Sequence, residues 1–145
     1  MKRHALAVLI LFLVACDPDQ KNPDKILNTV VVQANIKNEK VKNHAFLKDM
    51  YDDSYFPDFL VDKGKVILTE LCLRIEDQKP ENLEQLYELT HASTDQFNDL
   101  EDEFFEHDSE LETAARECIA MDFDFIAKAY GFDADVEELI ATRNW

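Results

Sequence analysis

Residues 80–107 read PENLEQLYELTHASTDQFNDLEDEFFEH. Within them Leu83, Leu86, Thr90, Ser93, Phe97, Leu100 and Phe104 recur at spacings of 3, 4, 3, 4, 3 and 4. A helix turns once in about 3.6 residues, so this spacing stacks all seven on one stripe and predicts a single long amphipathic helix. Pro80 is expected in its first turn, where the amide proton that proline lacks would have no intrahelical partner anyway. The outer face carries Glu81, Glu84, Glu88, Asp95, Asp99, Glu101, Asp102, Glu103 and Glu106, and no Lys or Arg. The rod buries one side and shows water only negative charge.

That imbalance marks the C-terminal part of the chain. The formal charge is −16, yet residues 2–79 carry 12 acidic and 12 basic side chains and cancel. Residues 80–145 hold 19 acidic residues against Arg116, Lys128 and Arg143. Such a surface repels phosphate backbones and attracts basic proteins, which argues against nucleic acid as a partner. The competing account is that acidity only maintains solubility. Two Gly and four Pro in 145 residues are too few for a turn-rich β architecture,. The expectation is one all-α domain, a small bundle of about five helices.

The neighbouring segments follow the same period. Phe46, Leu47, Met50 and Tyr51 share a face of a short helix expected over Asn43 to Asp52,. Pro57 should open a helix running to about Asp77, with Leu60, Ile67, Leu68, Leu71, Cys72 and Ile75 buried,. Gly64 inside it costs about 1 kcal/mol relative to Ala and suggests a close helix crossing or a break. Aromatics at 51, 55, 56 and 59 suggest one cluster at the base of the core,. Beyond the rod, Ser109 and Glu112 fit a capping box. Leu111, Ala115, Cys118, Ile119, Asp122, Phe125, Ile126 and Ala129 then recur at helical spacing up to a stop at Gly131,. A last helix is expected from Asp133 or Asp135 to Thr142, with Val136, Leu139 and Ile140 inward and Trp145 over one end of the bundle.

The N-terminal residues read differently. Lys2 and Arg3 precede an apolar run from Ala5 to Ala15, too short to span a bilayer, which takes about 20 residues,. This is the pattern of an export signal. Leu13-Val14-Ala15-Cys16 resembles the bacterial lipobox. The resemblance implies removal of residues 1–15 and acylation of Cys16, and several acyl chains suffice for stable anchoring. Asp17 directly afterwards resembles the enteric signal for retention in the inner membrane, facing the periplasm. Residues 16–42 read as lipidated Cys and tether, with Pro18, Pro23 and lysines at 21, 25, 37, 40 and 42 that could rest on anionic headgroups,. Within it Ile26 to Val32 suits either a short strand or a helical arm. The domain is expected over residues 43–145.

Asn43-His44, Phe46 to Tyr51, Tyr55-Phe56-Pro57, Leu89-Thr90-His91-Ala92, Asp108-Ser109-Glu110 and Glu137 to Arg143 together resemble a small bacterial family catalogued only as a domain of unknown function. The resemblance covers Asn43 to Trp145. It implies no reaction, cofactor or site residue. The family's usual members look cytosolic, and the leader here departs from that pattern.

No phosphate loop, serine elbow or Cys-His dyad argues for catalysis, and no cofactor is implied. Cys72 and Cys118 could pair in an oxidising compartment, or stay buried as small free thiols. Glu88 and His91 stand at the Glu-x-x-His spacing of di-iron bundles, but a second copy is missing,. Asp122-Phe123-Asp124 and Asp133-Ala134-Asp135 lack the Gly and Glu of a calcium loop,. Three functions compete. The first is a non-enzymatic, membrane-anchored binding protein of immunity or inhibitor type. It would capture a basic protein through Glu84, Glu88, Asp95, Asp99, Asp102 and Glu106. The second is a metal-handling or hydrolytic envelope protein using His91, His107 and carboxylates. The third is a structural envelope lipoprotein.

Overall fold

A computed structural model describes residues 32–145, and no strand occurs among them. After a helical turn at residues 32–34 come α1 (Glu39–Lys42), α2 (Lys48–Tyr51), α3 (Asp58–Gln78), α4 (Leu83–Glu106), α5 (Thr113–Ala129) and α6 (Val136–Leu139). The described residues are all-α, as expected for a bundle of about five helices. Three long ones build the bundle and one-turn pieces close it.

Helix α4 is the expected unbroken rod. Leu86, Thr90, Ser93, Phe97, Leu100 and Phe104 are buried along it, while Leu83 at the first turn is 37% exposed and leaves the stripe. The polar members of the stripe do not break the helix because each has a partner. Ser93 Oγ accepts from Arg74 at 2.5 Å and Thr90 Oγ1 donates to the Tyr87 carbonyl at 3.3 Å. The start differs from expectation. Pro80 lies ahead of the helix, and Asn82 is the N-cap, its Oδ1 accepting the Gln85 amide at 3.0 Å. Gln85 Oε1 reaches back to the Glu81 amide at 2.8 Å, so two exposed amides are satisfied by one pair of side chains,.

Helices α3 and α4 make the most extensive contact in the bundle. Gly64 marks their crossing: a Cβ there would sit 2.9 Å from Leu47 Cδ1 and 3.0 Å from Phe97 Cε1. The aromatic cluster is looser than expected. Phe56 is buried, but Tyr55 is 45% exposed, and Tyr51 turns its hydroxyl to Asp62 at 2.6 Å. Trp145 is half-buried and meets Phe97, inside the α4 stripe, edge-on at a centroid distance of 6.2 Å.

The helix ends explain two further outcomes. At the end of α4, Asp108 has φ +56°. The Ser109 amide bonds the Phe104 carbonyl at 3.0 Å and the Asp108 amide bonds that of Phe105 at 3.2 Å, a Schellman ending built on Asp,. The Ser109–Glu112 capping box is therefore not formed. Ser109 is committed to that ending, its Oγ is buried without a partner, and α5 begins only at Thr113. Gly131 fulfils its expected role at φ +89°, with Phe132 and Gly131 amides closing on Ala127 and Lys128. Helix α6 is shorter than expected: Asp135 caps it through the Glu137 amide at 2.8 Å, and it ends at Leu139.

Ile36 is 1% exposed and Val41 fully buried, so packed structure begins before residue 43 and part of the expected tether is core. Residues 37–44 form an arm laid across α3 and α5. Of Ile26 to Val32, expected as a strand or a helical arm, only Val32 is described, in the helical turn at 32–34; Ile26 to Val31, the tether before them, the leader and Cys16 lie outside the described residues.

Candidate functional site

Glu84, Glu88, Asp95, Asp99, Asp102 and Glu106 are all exposed on α4. Their spacings of 4, 7, 4, 3 and 4 keep them within about 60° of arc over about 33 Å of helix,. None of the six enters an ion pair among the described residues. Their neighbour Glu103, outside this arc, is held by Lys63 of α3. Phe105, 69% exposed, stands at the edge of the stripe between Asp102 and Glu106. The flank of the stripe is occupied by the C-terminal tail. His91 Nε2 donates to the Glu138 carbonyl at 2.7 Å, and Asn98 donates to the Thr142 carbonyl at 3.0 Å and accepts the Asn144 amide at 3.1 Å.

The two histidines are placed apart. His91 docks the tail and stacks on Tyr87 at a centroid distance of 5.9 Å. His107 donates Nδ1 to its own helix at the Glu103 carbonyl, 2.9 Å away. On one straight helix the two lie about 24 Å apart, and no cluster of three or more metal-type ligands occurs among the described residues. Cys72 and Cys118 are both free and buried. Burial raises both thiols above their ordinary value, so they stay protonated and poorly nucleophilic,.

Sequence reading missed a second constellation, at the seam between the arm and α5. Asp122 is 6% exposed. Its Oδ1 lies 2.7 Å from His44 Nε2 and its Oδ2 accepts the Leu47 amide at 2.7 Å. Burial pushes the carboxyl up, against the opposing pull of His44 and that amide. Leu47 sits at φ +56°, a conformation costing a β-carbon-bearing residue about 1–2 kcal/mol,. It is held there while its side chain fills the core and its amide meets Asp122. The His44 ring stacks on Phe125 at 3.8 Å and meets Phe46 edge-on at 4.8 Å. Beside it opens a cleft of about 410 Å³ lined by Lys40, His44, Met121, Phe125 and Lys128. Glu76 of α3 fixes the other side of the arm. It accepts the Lys37 and Asn38 amides at 2.9 Å each and the Tyr130 hydroxyl at 2.9 Å. Burial alone would raise its carboxyl, but these donors outweigh that and hold it below its ordinary value. The available signal was Asp122 itself, a carboxylate on an otherwise apolar stripe; its partner, 78 residues away, has none.

A model of the family of unknown function DUF5713 matches residues 40–145, most of the chain. The chain belongs to DUF5713. The matched span contains the acidic stripe, the His44–Asp122 seam and every helix from α2 onward, so both constellations are parts of the DUF5713 domain. No curated protein and no solved structure matches the chain. No helix among the described residues is long and apolar enough to cross a membrane.

Proposed function

We propose that this DUF5713 chain is a non-enzymatic binding protein of immunity or inhibitor type, anchored through Cys16 to the inner membrane, facing the periplasm. The outer face of α4 captures a basic protein partner. The observation that carries this reading is the six carboxylates left without an ion pair. Glu84 with Glu88, Asp95 with Asp99, and Asp102 with Glu106 stand one turn apart, and like charges at that spacing destabilise a helix by about 0.2–0.5 kcal/mol per pair. Solubility needs no such alignment, because scattered charges serve it as well. Aligned charge speeds encounter with an oppositely charged surface, and Phe105 at the stripe's edge is a ready apolar anchor.

The test uses the lipidated chain in native envelopes. Partner capture at low salt should fall steeply at high salt. With the purified pair, Asp95→Lys, Asp99→Lys and Asp102→Lys together should slow association about tenfold or more and flatten its salt dependence. A complex indifferent to both salt and charge reversal overturns the reading. The anchor is tested separately: labelled palmitate should enter the wild type and not Cys16→Ala.

A further inference from the structure

We propose that the cleft between the arm and α5 binds small organic monocarboxylates. The proposal is independent of the α4 face, because the cleft is built on other elements. Its charges leave room for one anion. Lys128 is neutralised by Asp124 at 2.7 Å and both oxygens of the buried Asp122 are taken up by the His44 ring and the Leu47 amide, while Lys40 has no ion-pair partner among the described residues. His44 is fixed from three sides, by Asp122 at Nε2 and by the rings of Phe125 and Phe46. Its Nδ1 has no hydrogen-bond partner among the described residues. A ring so held forms a wall of the cleft without further ordering, which lowers the entropic cost of binding,. The remaining wall is apolar: Phe125 is half-buried and Met121 is 67% exposed at the rim. One unmatched cation beside an apolar wall of the Phe125 ring and the Met121 side chain suits a carboxylate head on a short hydrocarbon body. The cleft of about 410 Å³ lies within the usual range for small-ligand sites,. Inorganic phosphate offers more charge and nothing for Met121 or Phe125.

The experiment is titration of the ¹⁵N-labelled domain with hexanoate, acetate and inorganic phosphate. Hexanoate should shift resonances of residues 40–44 and 121–129 and saturate at about millimolar concentration, as expected for a ligand of this size. Acetate, lacking the hydrocarbon body, should bind about tenfold or more weakly. Lys40→Glu and Met121→Ser change exposed side chains, leave the thermal midpoint in place and should each weaken hexanoate. Lys79→Glu, outside the cleft, should change nothing. Hexanoate shifts that do not saturate, lie elsewhere, or survive Lys40→Glu overturn the proposal. So does a response to inorganic phosphate equal to that for hexanoate, which would make this a site for charge alone.

Discussion

The carboxylates of α4 and those of the arm seam are the same chemical group put to opposite use. On α4 six of them face water with no cation beside them. At the seam, Asp122 and Glu76 direct their oxygens at five protein donors, from His44, Leu47, Lys37, Asn38 and Tyr130. A carboxylate whose hydrogen bonds are made within the chain holds the fold. One whose bonds are left to solvent adds self-repulsion and is free for a partner. Losing a seam carboxylate should therefore cost stability, and losing one from the stripe should not.

The largest effect is expected from Asp122→Ala. It leaves the buried Leu47 amide and the half-buried His44 ring without their acceptor, and Leu47 still in its left-handed conformation. Breaking a buried pair of this kind costs about 3 kcal/mol or more. Urea unfolding measures it. Asp122→Asn keeps an acceptor for the amide and should lose markedly less. Equal losses for the two substitutions would mean that packing volume, not hydrogen bonding, holds the seam.

Glu76→Ala comes next, at about 1–3 kcal/mol, since charge-assisted bonds are worth more than neutral ones. The loss should be local. Hydrogen exchange at the Lys37 and Asn38 amides should accelerate while the α4 core stays protected. Uniform acceleration would show that the arm and the bundle unfold as one unit.

How legible these regions were in the sequence follows the same division. The rod, the Gly64 crossing and the Gly131 stop were readable because each is a local matter of period or backbone geometry. The six exposed carboxylates follow from the same period. Seam and caps were not readable, for two reasons. The Schellman ending at Asp108 needs a positive φ that Asp adopts less readily than Gly, so the Ser109–Glu112 pattern predicted a cap the backbone had already superseded. The arm is polar in sequence, with Lys37, Lys40 and Lys42 around Ile36 and Val41, and only those two apolar residues carry it into the core. Its attachment depends on Glu76, Asp122 and Ala129, whose carbonyl accepts Asn38 Nδ2 at 2.9 Å. Such long-range pairings leave no periodic trace.

Acidification sharpens the comparison within the seam. The Glu76 carboxyl lies below its ordinary value of 4.5 in the fold. Its contribution is complete above that value and is lost as the pH falls through the lower, folded one. The Lys37 and Asn38 amides should therefore stay protected down to the ordinary carboxylate range and open below it. In Glu76→Gln the same amides should show no acid step. A step that survives the substitution would assign the loss to another group.

The smallest effect is expected on α4, and its sign is what matters. Glu88→Lys converts the repulsive pair with Glu84 into an attractive one and should stabilise the domain by a few tenths of a kcal/mol, at most about 1. Salt should shrink the gain, because charges this exposed are screened over about 8 Å at physiological ionic strength. The same substitution removes a carboxylate from the proposed capture face. A variant that is slightly more stable yet binds its partner more slowly separates the two uses of a carboxylate in one molecule. If Glu88→Lys instead destabilises the domain by more than about 1 kcal/mol, Glu88 makes a contact within the fold and belongs with Asp122 and Glu76.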